Sequence, residues 1–228
     1  MRPQLSLRVA GVAVALGALA STINLAAAGT SPAQAQSITT TQSAATLAPA
    51  PVTTLGVGRT RLNVVAGRRA LVTGVARPAQ PVRTVELQRR TSRGWRTIDR
   101  VRTRARGSFT FRFRPRQVGS ASLRVRAAGK RRLVGRLNVY RVASVSWYGP
   151  GLYGNSLGCG GRLTPGTVGV AHKSLPCGTR VTLRHRRRTI RVRVIDRGPY
   201  VGGREYDLTA ATSRRLGFGG VGRILVTR

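Results

Sequence analysis

The stretch VIDRGPYVGGREYDLTAAT runs from Val194 to Thr212 in a chain of 228 residues. It holds Asp196, Glu205 and Asp207, three of only five acidic residues, whereas lysine and arginine together number 41. Carboxylates are so scarce in this chain that their grouping in one segment is informative. Glu205 is expected to pair with a neighbouring arginine. The two aspartates are therefore the first candidates for a functional site.

The composition predicts a folded, strongly cationic protein. Apolar residues make up 41% of the chain but aromatic residues only 5%, so the core must rest on Val, Leu, Ile and Ala. The formal net charge of +36 attracts anionic polymers, and added salt weakens that attraction. Lys130 and Lys173 are the only lysines. So strong an arginine bias fits a GC-rich coding background as easily as a selected binding surface.

Residues 1–35 have the pattern of a secretory signal peptide. A basic start precedes the apolar run VAGVAVALGALA, and Ala33 and Ala35 offer an A-x-A cleavage pattern. The run is short for a membrane span, which leaves an uncleaved anchor as the alternative. We therefore expect a secreted protein of the cell wall or extracytoplasmic space, with neither nucleic acid nor, after cleavage, a membrane as its partner.

Residues 36–54 are polar, small and uncharged, which is typical of a disordered linker. Across residues 55–141, Val, Leu and Phe alternate with Arg or Thr between Gly and Pro turns, and this predicts a small antiparallel β-sandwich. The segments LQRRTSRGWRTI and ARGSFTFRF resemble immunoglobulin-like modules of exported bacterial proteins. The outward arginines of this region are either a solvated surface or a tether to anionic wall polymers.

Residues 143–228 predict a small closed barrel of five or six short strands, so the fold class is all-β. One helix is expected from Thr209, capped by Asp207 or Thr209 and stopped by Gly217. Cys159 and Cys177 are an even pair in an exported chain, which favours a disulfide. A metal pair is discounted because no histidine or acid nearby has ligand spacing, and neither a metal nor another cofactor is expected.

Four segments of this region occur in a characteristic order: SVSWYGPGLYGN, GVAHKSLPCGTRVTL, VIDRGPYVGGREYDLTAAT and LGFGGVGRILV. Together they resemble the double-psi β-barrel of the rare lipoprotein A family, the septal-ring lytic transglycosylases, in its actinobacterial form. This barrel is related to that of expansins. The resemblance covers about the last 85 residues and implies a groove that binds peptidoglycan or a related β-linked glycan.

The resemblance also implies roles for individual residues. The catalytic candidates are His172, Asp196 and Asp207, which match the histidine of A-H-x-x-L-P and the aspartates of D-R-G-P and D-L-T. The candidates for binding the glycan are Trp147, Tyr148, Arg197 and Tyr200. Gly161 departs from the family pattern, because members thought to cleave glycan carry glutamate there, and this puts cleavage in doubt.

A lytic transglycosylase needs one group that protonates the glycosidic oxygen, and a hydroxyl of the sugar itself then closes an anhydro ring. Nearby guanidinium groups favour ionised carboxylates, whereas a second carboxylate in the same site favours the protonated form of one of them. The sequence leaves open which effect prevails. It also leaves Asp207 as a simple helix cap and Asp196 as a turn residue open as structural alternatives.

Three function classes follow from these observations. The first is a peptidoglycan-active barrel with lytic transglycosylase-like cleavage. The second is a non-catalytic, expansin-like module that binds or loosens the wall. The third is a structural protein whose arginines adhere to acidic polymers. Retention of His172, Asp196 and Asp207 favours the first class, and Gly161 favours the second.

Overall fold

The computed structural model describes residues 51–228, apart from residues 53 and 80. The predicted signal peptide and most of the predicted linker therefore lie outside the described residues. At the end of that linker, the side chain of Val52 is buried in a hydrophobic core. The domain boundaries proposed from the sequence remain predictions.

The described residues form thirteen strands, one α-helix and one 3₁₀ turn, Ala105–Gly107. The N-terminal strands are β1 (Thr54–Arg61), β2 (Asn63–Val65), β3 (Ala70–Arg77), β4 (Thr84–Thr91), β5 (Gly94–Arg102), β6 (Ser108–Phe113) and β7 (Gly119–Ala127). The others are β8 (Lys130–Tyr148), β9 (Val170–Ala171), β10 (Arg180–His185), β11 (Arg188–Asp196), β12 (Tyr206–Thr209) and β13 (Gly222–Val226). The helix α1 is Ala210–Leu216. The predicted all-β class is confirmed.

The N-terminal half consists of two sheets around one core. Strands β1, β3 and β6 form a three-stranded sheet, while β4, β5, β7 and β2 belong with β8 to a second sheet. Both sheets contribute buried side chains to the core, among them Val72 and Phe111 from the first, and Leu87 and Leu123 from the second. In β6 and in the second half of β7, buried residues alternate with more exposed ones, which is what the period-two pattern predicts. The likeness to immunoglobulin modules stays a prediction.

The C-terminal half closes into a ring of strands. Neighbouring strands pair in the order β12, β9, β11, β10, β13 and β8, and β12 also pairs with β8. Its core is separate from the first and contains buried side chains such as Val145, Leu183, Val194 and Leu208. The helix follows β12 directly, with the Thr209 side chain accepting a hydrogen bond from the Thr212 backbone N–H. Thr209, and not Asp207, is therefore the helix cap.

Strand β8 connects the two halves without a break. Its 19 residues pair with β7 over their first part and with β12 and β13 over their second part. It thus crosses the boundary proposed between residues 141 and 143. Among the described residues, no helix has the length and apolar character that crossing a membrane requires.

Candidate functional site

A cavity of about 250 Å³ opens where β8, β11 and β12 meet. Asp196 is the last residue of β11, and Asp207 lies within β12. Both strands pair with Ala171 of β9, which stands opposite Asp196 on one side and opposite Asp207 on the other. This pairing brings both aspartates to the lining of the one cavity. The structure therefore brings these two carboxylates together in one cavity.

Asp196 is held by three hydrogen bonds. Its Oδ1 accepts from the backbone N–H groups of Gly158, at 2.7 Å, and Arg197, at 2.8 Å. Its Oδ2 accepts from the Tyr148 hydroxyl at 3.0 Å. Burial, followed by the charge of Asp196, raises the pKa of Tyr148 far above its ordinary value, so this hydroxyl keeps its proton and donates. Both oxygens of Asp196 thus act as acceptors, which suits a fixed positioning carboxylate.

Asp207 is held at one oxygen only. Its Oδ1 accepts a hydrogen bond from the hydroxyl of Ser146, a buried residue. The Arg204 Nη1 donates to the same Ser146 oxygen at 2.7 Å. Within the part of the chain that the structure describes, no hydrogen bond ends on Asp207 Oδ2. Asp207 therefore has one oxygen fixed from behind and one available in the cavity, which is the arrangement a proton donor needs.

The contact through Ser146 to Arg204 was missed by sequence reasoning. A signal for Ser146 was present, because it lies two residues before Tyr148 in a strand and must share its face. Nothing comparable marks Arg204, whose contact with Ser146 joins residues 58 positions apart.

The four residues predicted to bind glycan are placed differently. Tyr148 and the exposed Tyr200 line the cavity. Arg197 lines it too, but its guanidinium donates to the carbonyl oxygens of His172 and Leu175 and to the sulfur of Cys177. Its charged end is thus engaged within the protein. Trp147 is 40% exposed and lies outside the cavity lining, since neighbouring residues of a strand point to opposite faces.

His172, the third catalytic candidate, is held by a loop beside the cavity. Its Nδ1 accepts hydrogen bonds from the backbone N–H groups of Ser174 and Leu175, and its ring packs 4.7 Å from that of Tyr206. It does not line the cavity that holds the two aspartates. Burial lowers the pKa of His172, which favours a neutral ring. The histidine thus organises the turn that follows β9, and its catalytic role stays a prediction.

The predicted disulfide between Cys159 and Cys177 is present. Gly158, next to the first cysteine, donates to Asp196, and Cys177 contacts Arg197, so the bridge ties the loop that shapes the cavity. Gly161 has a φ of +82°, and a Cβ placed there would meet open space. Among the described residues, no group of three or more His, Cys, Asp or Glu side chains could hold a metal ion.

Comparison with known proteins identifies the barrel. Residues 141–227 match the family model described as lytic transglycolase. Over 104 residues the chain is 38% identical to the probable endolytic peptidoglycan transglycosylase RlpA of Synechocystis, covering 40% of this chain and 32% of that protein. Over 73 residues it is 38% identical to the endolytic peptidoglycan transglycosylase RlpA of Campylobacter jejuni, covering 31% of this chain and 26% of that protein.

A third relative, the probable endolytic peptidoglycan transglycosylase RlpA of Aquifex aeolicus, is 39% identical over 74 residues, which are 32% of this chain and 33% of that protein. The chain thus spans about a third or less of the length of these curated relatives. The similarity confirms the resemblance stated for the C-terminal region. Residues 141–227 form an RlpA-like double-psi β-barrel domain.

Proposed function

We propose that the barrel binds glycan strands of peptidoglycan in the cavity of Asp196 and Asp207 and cleaves them by a lytic transglycosylase reaction. The observation that carries the proposal is the meeting of these two carboxylates in one cavity of about 250 Å³ within an RlpA-like domain. The names of the relatives support the substrate class, since each of them is a peptidoglycan transglycosylase. The site of action is then outside the cytoplasm, at the cell wall.

In this reaction Asp207 is the acid. Its proton passes to the glycosidic oxygen, and the bond from that oxygen to the sugar C1 breaks. A hydroxyl of the same sugar then bonds to C1, and its proton returns to Asp207, so an anhydro ring forms and no water is consumed. The single carboxylate suffices because the nucleophile comes from the substrate, unlike in glycoside hydrolases that pair two carboxylates.

The neighbours of Asp207 support this division of roles. Ser146 holds Oδ1, with Arg204 donating to the Ser146 oxygen, so the remaining oxygen of Asp207 can carry the proton toward the cavity. Asp196 is saturated with donors at both oxygens and is better suited to fix the Tyr148 hydroxyl and the loop at Gly158 than to give up a proton. Tyr200, at the rim of the cavity, offers an exposed ring for a sugar face.

A second candidate function is glycan binding without cleavage. Gly161 favours it, because the glutamate of cleaving family members is replaced there by a residue with no side chain. In that case the two aspartates accept hydrogen bonds from sugar hydroxyls, and the barrel acts as an expansin-like binding or loosening module. Anionic wall polymers are further partners that the net charge of +36 favours.

Incubation of the purified chain with isolated sacculi distinguishes these functions. We expect anhydro-muropeptides in the soluble fraction by mass spectrometry, and a loss of at least about 100-fold in Asp207→Asn, the scale of general acid catalysis. Asp99→Asn is the matched control, because Asp99 lies in β5, outside the barrel. Binding to sacculi at high salt without anhydro products from the wild type would exclude cleavage and establish the binding module. Binding to sacculi that disappears at high salt, without anhydro products, would exclude both glycan cleavage and specific glycan binding.

A further inference from the structure

Four arginines form a cationic surface on the outside of the barrel. Residues Arg180, Arg191 and Arg193 come from the hairpin of β10 and β11, and Arg136 from β8. In the register of the hairpin, Arg180 stands directly opposite Arg193. The valines that alternate with these arginines, such as Val181 and Val192, are buried in the barrel core, so the guanidinium groups face outward. We call these four residues the arginine surface.

No acidic side chain balances the arginine surface. All five acids of the chain lie in the described residues, and each is engaged elsewhere: Glu86 with Arg100 and Arg126, Glu205 with Arg141, Asp99 with the backbone of Arg100, and Asp196 and Asp207 in the glycan cavity. Burial, and then the charges of Arg136, Arg180 and Arg193, lower the pKa of Arg191. Like charges placed directly opposite in a sheet cost stability, so this arrangement stores repulsion that an anion would relieve.

A second cavity lies on this surface. It has a volume of about 360 Å³ and is lined by Arg180, Arg191, Arg193 and Arg228, together with Ser120, Gly178 and Thr227. Ser120 comes from β7 of the N-terminal half, and its hydroxyl lies 3.3 Å from that of Thr182 in β10. The cavity thus spans the junction of the two halves. Its guanidinium groups can donate paired hydrogen bonds, a geometry that suits phosphate oxygens.

The spacing of the arginines suits a chain of charges better than a single ion. Alternate residues of a strand lie about 6.6 Å apart and neighbouring strands about 4.8 Å apart, so the guanidinium groups form an extended array. The residues that line this cavity include no aromatic side chain. Sites for single-stranded nucleic acid interleave basic with aromatic residues, on which the bases stack. The array therefore fits a phosphate polymer that carries no bases.

We propose that the arginine surface binds a polyol-phosphate chain, a polymer of phosphodiesters joined by small polyols. The same strand, β11, carries Arg193 on this surface and Asp196 in the glycan cavity three residues later, about 10 Å along the strand. A bound chain of this kind therefore lies next to the glycan site and holds the barrel on a wall that contains both polymers. The binding does not depend on whether the cavity cleaves glycan.

The test compares two triple variants of equal charge. The first is Arg180→Gln/Arg191→Gln/Arg193→Gln. The control is Arg102→Gln/Arg112→Gln/Arg116→Gln, which removes three exposed arginines of the N-terminal half. Binding of fluorescent poly(glycerol phosphate) is measured by anisotropy over a range of salt concentrations. Thermal unfolding of each variant verifies that it is folded, and we expect the first triple to be at least as stable as the wild type, since it loses repulsion.

We expect the first triple to bind the polymer at least about tenfold more weakly at 0.15 M salt. Its slope of log Kd against log salt concentration should be smaller by about 2, because three phosphate contacts are lost. The control should change the affinity by less than about twofold at that salt concentration. Equal losses in both triples would overturn the proposal, because they would mean diffuse attraction by net charge. Tighter wild-type binding to DNA of the same phosphate count would overturn the choice of polymer. The failure of glycan cleavage in sacculi affects neither result.

Discussion

The cavity of Asp196 and Asp207 and the arginine surface stand at different places on one strand, β11, and differ in how their charges are held. In the cavity, Asp196 accepts three hydrogen bonds and Asp207 is fixed by Ser146. On the arginine surface, Arg180 and Arg193 face each other with no acid beside them. The hydrogen bonds in the cavity fix the positions of the carboxylates. The arginines instead create a positive electrostatic potential over their surface. We therefore expect function in the cavity to depend on single atoms and to resist salt, and function at the arginine surface to depend on charge number and to weaken with salt.

Removal of the disulfide should have the largest effect and should affect the two regions unequally. The double variant Cys159→Ser/Cys177→Ser frees a loop of 18 residues, which lowers the free energy of unfolding by about 3 kcal/mol. It also releases Gly158 and Arg197, so cleavage of sacculi should fall sharply while polymer binding on β10 and β11 persists at temperatures where the variant is folded. Urea unfolding, the sacculus cleavage assay and the polymer-binding assay measure this, with reduced wild type as the control. Equal loss in the two assays would contradict a local role for the bridge.

Substitution of Ser146 should have an intermediate effect, confined to the cavity. In Ser146→Ala, Asp207 Oδ1 loses its donor and Arg204 loses its acceptor, at a cost of about 1–3 kcal/mol for buried groups of this kind. We expect kcat on sacculi to fall about tenfold with KM nearly unchanged, because Ser146 positions the acid and does not line the cavity. Ser144→Ala, in the same strand, is the matched control. A variant that lost stability but kept its kcat would show Ser146 to be purely structural.

The smallest expected effect is a pH dependence of stability from His172. Burial lowers the pKa of His172 in the folded state. The charges of Arg141 and Arg197 lower this pKa further, whereas the charge of Glu205 raises it. The unfolded chain therefore takes up this proton first, so the contribution of neutral His172 is complete above about pH 6.5 and is lost as the pH falls below that value. A second loss follows below about pH 4.5, because the hydrogen bond from Arg141 lowers the pKa of Glu205 in the folded state.

Urea unfolding at a series of pH values measures both steps. His172→Gln should remove the step that begins near pH 6.5 and keep the lower one. His185→Gln, a change in the other histidine of the chain, should keep both steps. Polymer binding by the arginine surface should be unaffected by the upper step, since arginine stays charged throughout this range. An upper step that survived in His172→Gln would contradict this assignment.

Much of the cavity could be predicted from the sequence because its motifs are local. The D-R-G-P and D-L-T segments located Asp196 and Asp207, and the W-Y pair located Tyr148. The roles of His172 and Arg197 could not be read in the same way. His172 binds backbone groups of Ser174 and Leu175, and Arg197 binds carbonyl oxygens and a sulfur, so both depend on a folded loop rather than on a residue pattern.

The fold was predictable to a similar extent. Alternation revealed most of the longer strands, and the helix end at Gly217 was correct. The four residues of β12 were not recognised as a strand, because their parallel partner in β8 lies about 60 positions earlier in the chain. The continuity of β8 was missed for a related reason. A change of composition near residue 142 suggested a boundary, whereas the backbone hydrogen bonds continue across it.

That continuity has a mechanical consequence. A strand of 19 residues extends about 60 Å and belongs to both hydrophobic cores, so no flexible joint separates them. A force applied to the N-terminal half therefore travels along this strand to Tyr148, which lines the cavity. The separation between the N-terminal core and the cavity is accordingly set by the length of β8.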